Sequence, residues 1–190
     1  MKPIDKFIHQ QIKETGSICI DELISDINGR TLSNDEADQI LIWANSYERF
    51  SVFLKIKDQL SDPATYWKQL RSAYQESDNL YQWKSEIKNC FQVDLPGKRY
   101  LMDEAERKII SGLSDEVTIH RGMTVEEAES NDYGISWTLN REKAEYFAFT
   151  YGRNHDTNGL EKTIISKQIS KDQILALFNS RNEREIIFIN

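Results

Sequence analysis

The hydrophobic period of this 190-residue chain changes near residue 115, and that change constrains the fold more than any other feature. Before it, apolar residues recur at helical spacing. Beyond it, short apolar or alternating runs indicate strands at 117–120, 162–169, 173–178 and 185–189. Helices first and strands later predict an α+β fold.

Local signals give the predicted helix starts. Ser33 and Glu36 have the spacing of a capping box. Asp62-Pro63 places a proline in a first helical turn. Thr124 has the same spacing to an acidic residue at 127. Further helices are expected over 80–91, 103–113 and 140–151, and a polar loop over 153–159.

Composition excludes several classes of protein. The chain is 39% hydrophobic and 29% charged, as in ordinary globular proteins, and lacks an apolar run of roughly 18 residues. The N-terminus has no signal-peptide hydrophobic region, so we expect a cytoplasmic protein with no membrane partner. Two cysteines are too few for a disulfide framework or a metal cluster. The net charge of -7 disfavours a general nucleic-acid binder, although a local basic patch remains open.

Two carboxylates stand where a polar loop enters the last apolar run. Side chains of a strand alternate between faces, so Glu183 and Glu185 are expected to share a face, roughly 7 Å apart. Such a pair suits chemistry at a sugar carbon, because one carboxylate stabilises developing positive charge while the other handles a proton. A solvated strand edge explains the same pattern, so the pair needs support from elsewhere.

Two upstream segments add that support. Arg121 ends a predicted strand, where its guanidinium can pair with phosphate, and Gly122 lets a ligand approach the backbone. Ser136-Trp137-Thr138 stands just before the helix expected over 140–151. Taken singly, the arginine is better explained by a surface salt bridge, and the hydroxyls are explained by helix caps.

In this order the three segments resemble the Arg, Ser-Thr-Ser and Glu-x-Glu motifs of ADP-ribosyltransferases. The similarity is greatest to the phage- and prophage-associated branch, in which Ser-Trp-Thr-Leu before a helix is typical. It covers residues 63–190, whereas residues 1–60 resemble no family we can name. Trp137 departs from the Ser-Thr-Ser pattern, while Thr138 keeps the hydroxyl of its last serine.

The resemblance implies a split β-sandwich around a cleft that binds NAD as substrate, without a metal. Arg121 would hold a phosphate of NAD, and the backbone of Gly122 would hydrogen-bond the nicotinamide carboxamide. Thr138 would support the nicotinamide ribose region. Phe147 would stack on nicotinamide or line the cleft, although its helical spacing favours a core position.

The same resemblance assigns the chemistry. Glu185 would be the catalytic glutamate, and Ser136 would orient it by a hydrogen bond. Glu183 would address the acceptor, for which an arginine side chain is favoured and a nucleic acid is the alternative. Arg181 and Arg184 flank the glutamates, where they would contact an anionic acceptor or simply be exposed. His120 should point away from Arg121 and is expected to be structural.

The sequence therefore predicts a mono-ADP-ribosyltransferase acting in phage–bacterium conflict, inside a bacterial or phage-infected cell. Residues 1–60 would be a helical extension for recognition or regulation, or a cover for the core. Residues 61–190 would be the catalytic domain, with a helical lobe at 61–115 and a β core at 116–190. An NAD glycohydrolase with the same site and a non-enzymatic protein-binding module remain alternatives. An antitoxin or a host protein is a further candidate partner.

Overall fold

The computed structural model describes residues 3–78, 80–151, 159–180 and 182–190. Contacts divide the chain into two compact units, which are Met1–Trp83 with Val93–Leu101, and Lys84–Gln92 with Met102–Asn190. Most of the polar loop expected at 153–159, and Arg181, lie outside the described residues.

The described part of the first unit is helical. Its α-helices are α1 (Pro3–Thr15), α2 (Ile20–Asp26), α3 (Asn34–Trp43), α4 (Arg49–Ile56) and α5 (Pro63–Gln75). The capping box predicted at Ser33 is confirmed, with the Glu36 N–H bound to the serine and the Glu36 side chain bound back to the Ser33 backbone. The start predicted at Asp62-Pro63 is also confirmed, since the Asp62 side chain accepts from the Thr65 N–H.

The core of the first unit crosses the boundary that the sequence places at residue 60. The Phe53 and Tyr66 ring centroids lie 5.7 Å apart, which joins α4 to α5. Gln69 of α5 donates to Asp38 Oδ1 of α3 at 2.7 Å. Trp67 is fully buried. The helix after residue 60 thus packs with those before it, and the functional division at this position stays a prediction.

Within the described residues, the second unit carries four α-helices and all five named strands. The helices are α6 (Lys84–Gln92), α7 (Glu104–Ser111), α8 (Val125–Ser130) and α9 (Arg141–Glu145). The strands are β1 (Glu116–Thr124), β2 (Ser136–Thr138), β3 (Lys162–Ser170), β4 (Ala176–Phe178) and β5 (Glu185–Ile187). Helices first and strands later confirm the predicted α+β class. None of the described helices is long and apolar enough to span a membrane.

The five strands form one antiparallel sheet in the order β3-β1-β2-β5-β4. One half is the long pair β1–β3, which is in register from Glu116↔Ser170 to Thr124↔Lys162. The other half is the short set β2–β5–β4, in which each strand has three residues. A single residue pair, His120↔Thr138, joins the two halves. We call the place where β1 and β2 stop pairing beyond His120 the strand split.

The apolar core of the second unit covers one face of this sheet. Val117, Ile119 and Met123 of β1 are buried there with residues of the other strands. Arg121 belongs to the same face, because it alternates with His120 and Gly122. Directly paired residues share a face, so His120, Thr138 and Glu185 belong to the opposite one.

Several predicted elements differ from those observed. The strands expected over 173–178 and 185–189 are limited to Ala176–Phe178 and Glu185–Ile187. β1 was expected over 117–120 but extends through Gly122 to Thr124, because β3 pairs with all nine of its residues. The helix expected over 140–151 is α9 followed by a π-helical turn, Tyr146–Thr150. The Tyr151 N–H donates to the Tyr146 carbonyl at 2.8 Å, a bond over five residues that widens the helix.

Candidate active site

The central contact of the candidate site joins two neighbouring strands. Ser136 Oγ, at the start of β2, donates a hydrogen bond to Glu185 Oε1, at the start of β5, at 2.6 Å. The two residues are diagonal neighbours, because Thr138 is the direct partner of Glu185. Both side chains are partly buried. A hydroxyl donor this close fixes the carboxylate orientation.

Glu183 does not share this arrangement by strand alternation, which corrects the sequence argument. β5 begins only at Glu185, so Glu183 lies in the preceding loop. Arg184 between them has a φ of 46°, in the left-handed region that an arginine rarely adopts. The backbone therefore turns between the two glutamates, and a common strand face cannot be inferred from their spacing. Glu183 is partly buried.

Hydrogen bonds to neighbouring segments hold this turn in place. Thr138 Oγ1 donates to the Glu183 carbonyl at 2.8 Å, and the Leu139 N–H donates to the Arg184 carbonyl at 3.3 Å. The Arg184 N–H donates to Asn179 Oδ1 at 3.3 Å. We call the segment that carries Glu183 and leads into β5 the glutamate loop. Thr138, which was expected to support the nicotinamide ribose, is 6% exposed, and its hydroxyl is directed at the backbone of this loop. The structure thus gives its hydroxyl a supporting role for the loop.

A buried carboxylate that sequence reasoning missed anchors the other end of the loop. Glu106 of α7 is 2% exposed, and its Oε1 accepts from the Asn179 N–H at 2.9 Å. Its Oε2 accepts from the Asp103 N–H at 2.9 Å, which closes a capping box. The signal in the sequence was the Asp-x-x-Glu spacing at 103–106, but that spacing predicts only a helix cap.

Arg121 lies at the strand split and is already bound by protein groups. Its Nη1 donates to the Ser136 carbonyl at 2.7 Å, and its Nε and Nη2 donate to Glu127 Oε1 at 3.1 and 2.9 Å. Because side chains alternate along β1, the Arg121 side chain leaves the strand on the core face, opposite to the face of Glu185. Three of the five N–H groups of the guanidinium thus bind protein groups. A role of the other two in holding phosphate stays a prediction.

Glu127 is the second residue that sequence reasoning missed. The spacing of Thr124 and Glu127 indicated a capping box, and only half of it exists. Thr124 Oγ1 accepts from the Glu127 N–H at 3.1 Å, whereas the Glu127 carboxylate binds Arg121 and the Gly134 N–H, the latter at 2.8 Å. A Cβ at position 134 would lie 2.5 Å from Arg121 Nη2, so a larger residue there would displace the guanidinium from its present position.

Gly122 is explained by packing. A Cβ at this position would lie 2.4 Å from the Ala144 carbonyl oxygen and 2.8 Å from Ala148 Cβ. The absence of a side chain therefore lets α9 and the following π-helical turn lie against β1. The glycine is no indication of a ligand by itself, and a hydrogen bond from its backbone to nicotinamide stays a prediction.

Phe147 belongs to an aromatic group on the π-helical turn. Its ring centroid lies 5.6 Å from that of Tyr146 and 5.3 Å from that of Tyr151. Phe147 is partly buried, as its helical spacing suggested, while Phe149 is 62% exposed. The turn follows α9, which covers the sheet face that carries Glu185. An aromatic contact to nicotinamide stays a prediction.

His120 contacts the long half of the sheet. Its Nδ1 lies 2.8 Å from Ser166 Oγ of β3. Burial lowers the pKa of the imidazole, the nearby Arg141 lowers it further, and Glu145 opposes the shift. This neutral, hydrogen-bonded ring fits the structural role that the sequence predicted.

Trp137 departs from the Ser-Thr-Ser pattern because of its position in the fold. It alternates with Ser136 and Thr138, so it points to the opposite face and is 2% exposed. Its ring packs edge-on against Tyr133 and Phe188, with centroids 5.7 and 5.9 Å away. The departure fills the core and leaves both flanking hydroxyls on the Glu185 face.

Within the described ranges, no group of three or more His, Cys, Asp or Glu side chains could hold a metal ion. Comparison with protein-family models, with curated proteins and with solved structures gives no match. The site is thus defined by its own geometry: a Ser136–Glu185 pair, a tightly held glutamate loop and a bound arginine at the strand split.

Proposed function

We propose that this protein is a mono-ADP-ribosyltransferase that moves ADP-ribose from NAD to a macromolecular acceptor. The contact that carries the proposal is the 2.6 Å hydrogen bond from Ser136 to Glu185. It joins two of the three segments that resemble the family motifs, while the third supplies Arg121, which binds the Ser136 carbonyl at 2.7 Å. Segments separated by many residues thus meet in the order and context that the resemblance implies.

The fold supports the same proposal at a coarser level. A split β-sandwich needs two groups of strands that separate at the NAD cleft, and here one residue pair joins the two halves of the sheet. We propose that NAD binds at this strand split. β1 continues beyond His120 without pairing to β2, and we propose that its backbone edge there contacts the ligand.

The proposed reaction needs one well-oriented carboxylate. The bond between nicotinamide nitrogen and ribose C1 breaks, and the electron pair leaves with nicotinamide, which becomes neutral. Positive charge then develops on the ribose as an oxocarbenium ion. Glu185, held by Ser136, stabilises that charge electrostatically. The acceptor forms the new bond to C1 and gives up a proton to a base.

Glu183 is the proposed base for an arginine acceptor. A carboxylate beside a guanidinium pairs with it and takes its proton as the bond to ribose forms. Glu183 is partly buried and its backbone is held by Thr138, so its place in the loop is defined. A nucleic-acid acceptor is the alternative, for which the exposed Arg184 would supply a contact.

One observation favours a second candidate, an NAD glycohydrolase. Because Arg184 is left-handed and β5 starts at Glu185, the second carboxylate does not extend the strand face of the first. Cleavage with water as acceptor uses Glu185 and Ser136 and does not require Glu183. The resemblance to the phage-associated branch supports a setting in phage–bacterium conflict, with an antitoxin or host protein as a further partner and the cytoplasm as the place of action.

The test follows both products of NAD. Purified protein is incubated with cell lysate and NAD biotinylated on its adenine, nicotinamide release is measured, and the labelled product is treated with protease or nuclease. A transferase releases nicotinamide and labels a macromolecule, whereas a glycohydrolase only releases nicotinamide. Absence of both would leave a non-enzymatic binding module.

Two variants assign the steps. Glu185→Gln should lose at least about a hundredfold in nicotinamide release, the usual effect of removing one key electrostatic group. Glu183→Gln should lose labelling while it still releases nicotinamide. Equal loss of both activities in Glu183→Gln would place this residue in the cleavage step, and full retention of both would favour a nucleic-acid base as acceptor.

A further inference from the structure

Glu127 is the least expected member of the strand split. It lies on α8, a short helix outside the three motif segments, and its carboxylate faces the guanidinium of Arg121. One oxygen, Oε1, accepts three hydrogen bonds: from Arg121 Nε at 3.1 Å, from Arg121 Nη2 at 2.9 Å and from the Gly134 N–H at 2.8 Å. The two side chains are only 18% and 20% exposed.

We propose that Glu127 is a positioning residue, which sets the place of Arg121 and, through it, of Ser136 and Glu185. The inference rests on the proposed function, since its consequence is NAD cleavage. Glu127 binds the Nε edge of the guanidinium, and this orientation directs Nη1 at the Ser136 carbonyl, 2.7 Å away. The Ser136 hydroxyl in turn donates to Glu185 at 2.6 Å. A continuous chain of hydrogen bonds therefore runs from α8 to the proposed catalytic carboxylate.

Gly134 contributes to the contact between Glu127 and Arg121 in two ways. Its N–H binds the same Glu127 oxygen, and its lack of a side chain leaves room for Arg121 Nη2. Glu127 thus links the guanidinium and the segment entering β2, so that both approach Ser136 in a fixed geometry. A role in capping α8 does not explain the carboxylate, because the cap uses only the Glu127 backbone N–H.

The pairing also changes what Arg121 can do for NAD. A carboxylate at 2.9 Å offsets part of the guanidinium charge, which weakens attraction to phosphate. It also fixes the direction of the remaining N–H groups, which reduces the ordering cost of a phosphate contact. Glu127 therefore weakens the attraction of Arg121 for phosphate but fixes the orientation of its N–H groups. Removal of Glu127 should affect kcat more than KM.

The experiment measures nicotinamide release by purified full-length protein at varied NAD. Glu127→Ala should lower kcat about tenfold or more, with KM changed by less than about threefold. Glu127→Gln keeps an oxygen acceptor of the same reach and should restore most of kcat. Glu129→Gln, a change on the exposed side of the same helix, is the matched control and should match wild type.

A double-mutant cycle with Arg121→Ala supplies the decisive comparison. If Glu127 acts through Arg121, Glu127→Ala should add almost nothing to the loss already caused by Arg121→Ala. Additive losses, or an unchanged kcat in folded Glu127→Ala, would overturn the proposal. If Glu127→Ala fails to fold, Glu127→Met, which fills similar space without an oxygen acceptor, takes its place in the cycle.

The failure of the proposed function gives a different result. Wild-type protein would then release no nicotinamide, and the cycle is measured instead on the unfolding equilibrium constant in urea. Coupling between residues 121 and 127 of about tenfold would support the positioning of Arg121 alone. Absence of coupling would overturn it.

Discussion

The two halves of the sheet are stabilised in different ways. The long half, β1 with β3, has nine consecutive residue pairs in register. The short half, β2 with β5 and β4, has strands of three residues and depends on side chain–backbone hydrogen bonds from Thr138, Asn179 and Glu106. Ser136 and Glu185, the pair proposed to carry bond cleavage, lie on strands of the short half. Strands this short form few backbone hydrogen bonds. Side-chain hydroxyl, amide and carboxylate groups therefore hold the rest of the backbone in place.

The two halves also differ in backbone angles, because residues of the glutamate loop adopt sparsely populated values. Asn182 and Arg184 have φ values of 54° and 46°, and non-glycine residues pay of order 1–3 kcal/mol each for sparsely populated angles. Such angles persist only where neighbouring contacts determine them. The long half shows no positive φ among its strand residues.

The largest effect should come from the long half, where helix packing leaves no space. Gly122→Ala places a Cβ 2.4 Å from a backbone oxygen of Ala144, which cannot move away as a side chain could. We expect a loss of about 3 kcal/mol in the free energy of unfolding, measured by urea denaturation. Gly112→Ala is the control, because its Cβ meets only ordinary contacts at 3.5 Å and its φ of -85° suits alanine. Equal stability of the two variants would show that α9 does not pack closely on β1.

The short half should be sensitive to single hydroxyls. Thr138→Val removes a donor to the Glu183 carbonyl and an acceptor for the Asn140 N–H, at 2.8 and 3.0 Å. Both bonds are at a buried residue, so we expect a loss of about 1–2 kcal/mol in the free energy of unfolding. Thr118→Val, at an exposed position of the long half, should change stability by less than about 0.5 kcal/mol. Similar losses at both positions would remove the contrast between the halves.

The sequence predicts the fold class and the meeting of Ser136 with Glu185 for identifiable reasons. Hydrophobic period distinguishes helix from strand over long segments, and capping residues such as Ser33 mark helix starts through local hydrogen bonds. Ser136 and Glu185 were placed together by the order of the motifs. Their contact is present, and its catalytic role stays a prediction.

The sequence pattern around the missed glutamates is compatible with two roles, a helix cap and a tertiary contact. Glu106 and Glu127 each stand three positions after a capping residue, and nothing local shows that their carboxylates also bind distant segments. Arg184 carries no signal of a left-handed backbone, because arginine is not a residue type that favours it. These features depend on tertiary contacts, which hydrophobic period and residue propensity do not predict.

Backbone strain at the glutamate loop gives a smaller effect of opposite sign. Glycine adopts a φ of 46° without steric cost, whereas alanine there keeps the strain of arginine. Arg184→Gly should therefore be more stable than Arg184→Ala by about 1 kcal/mol, measured by urea denaturation. Comparing these two variants removes the contribution of the arginine side chain. Equal stability, or a more stable Arg184→Ala, would mean that the loop does not require a left-handed residue.

The smallest effect concerns the segment that leads into β2, which is held by charge. Lys84 and Lys88 of α6 bind the Asp132 carboxylate at 2.8 and 2.6 Å, and their hydrogen bonds lower its pKa to about 2 from the ordinary 3.8. A lowered pKa in the folded state stabilises the protein above pH 3.8, and this contribution is lost as the pH falls from 3.8 towards 2. The side chain is 66% exposed, so solvent screening limits the contribution to at most about 1 kcal/mol.

The measurement is urea unfolding of wild type and Asp132→Asn at pH 6 and at a pH near 2.5. The stability difference between them should be present at pH 6 and shrink at the lower pH, because the Asp132 carboxylate is then protonated in the unfolded state and begins to be protonated in the folded state. Asp115→Asn is the control, since that carboxylate is fully exposed and lies 3.4 Å from Lys171. Its difference from wild type should be small at both values. A difference for Asp132→Asn that stays constant with pH would show that the entry to the short half is held by packing of Tyr133 and not by the two lysines.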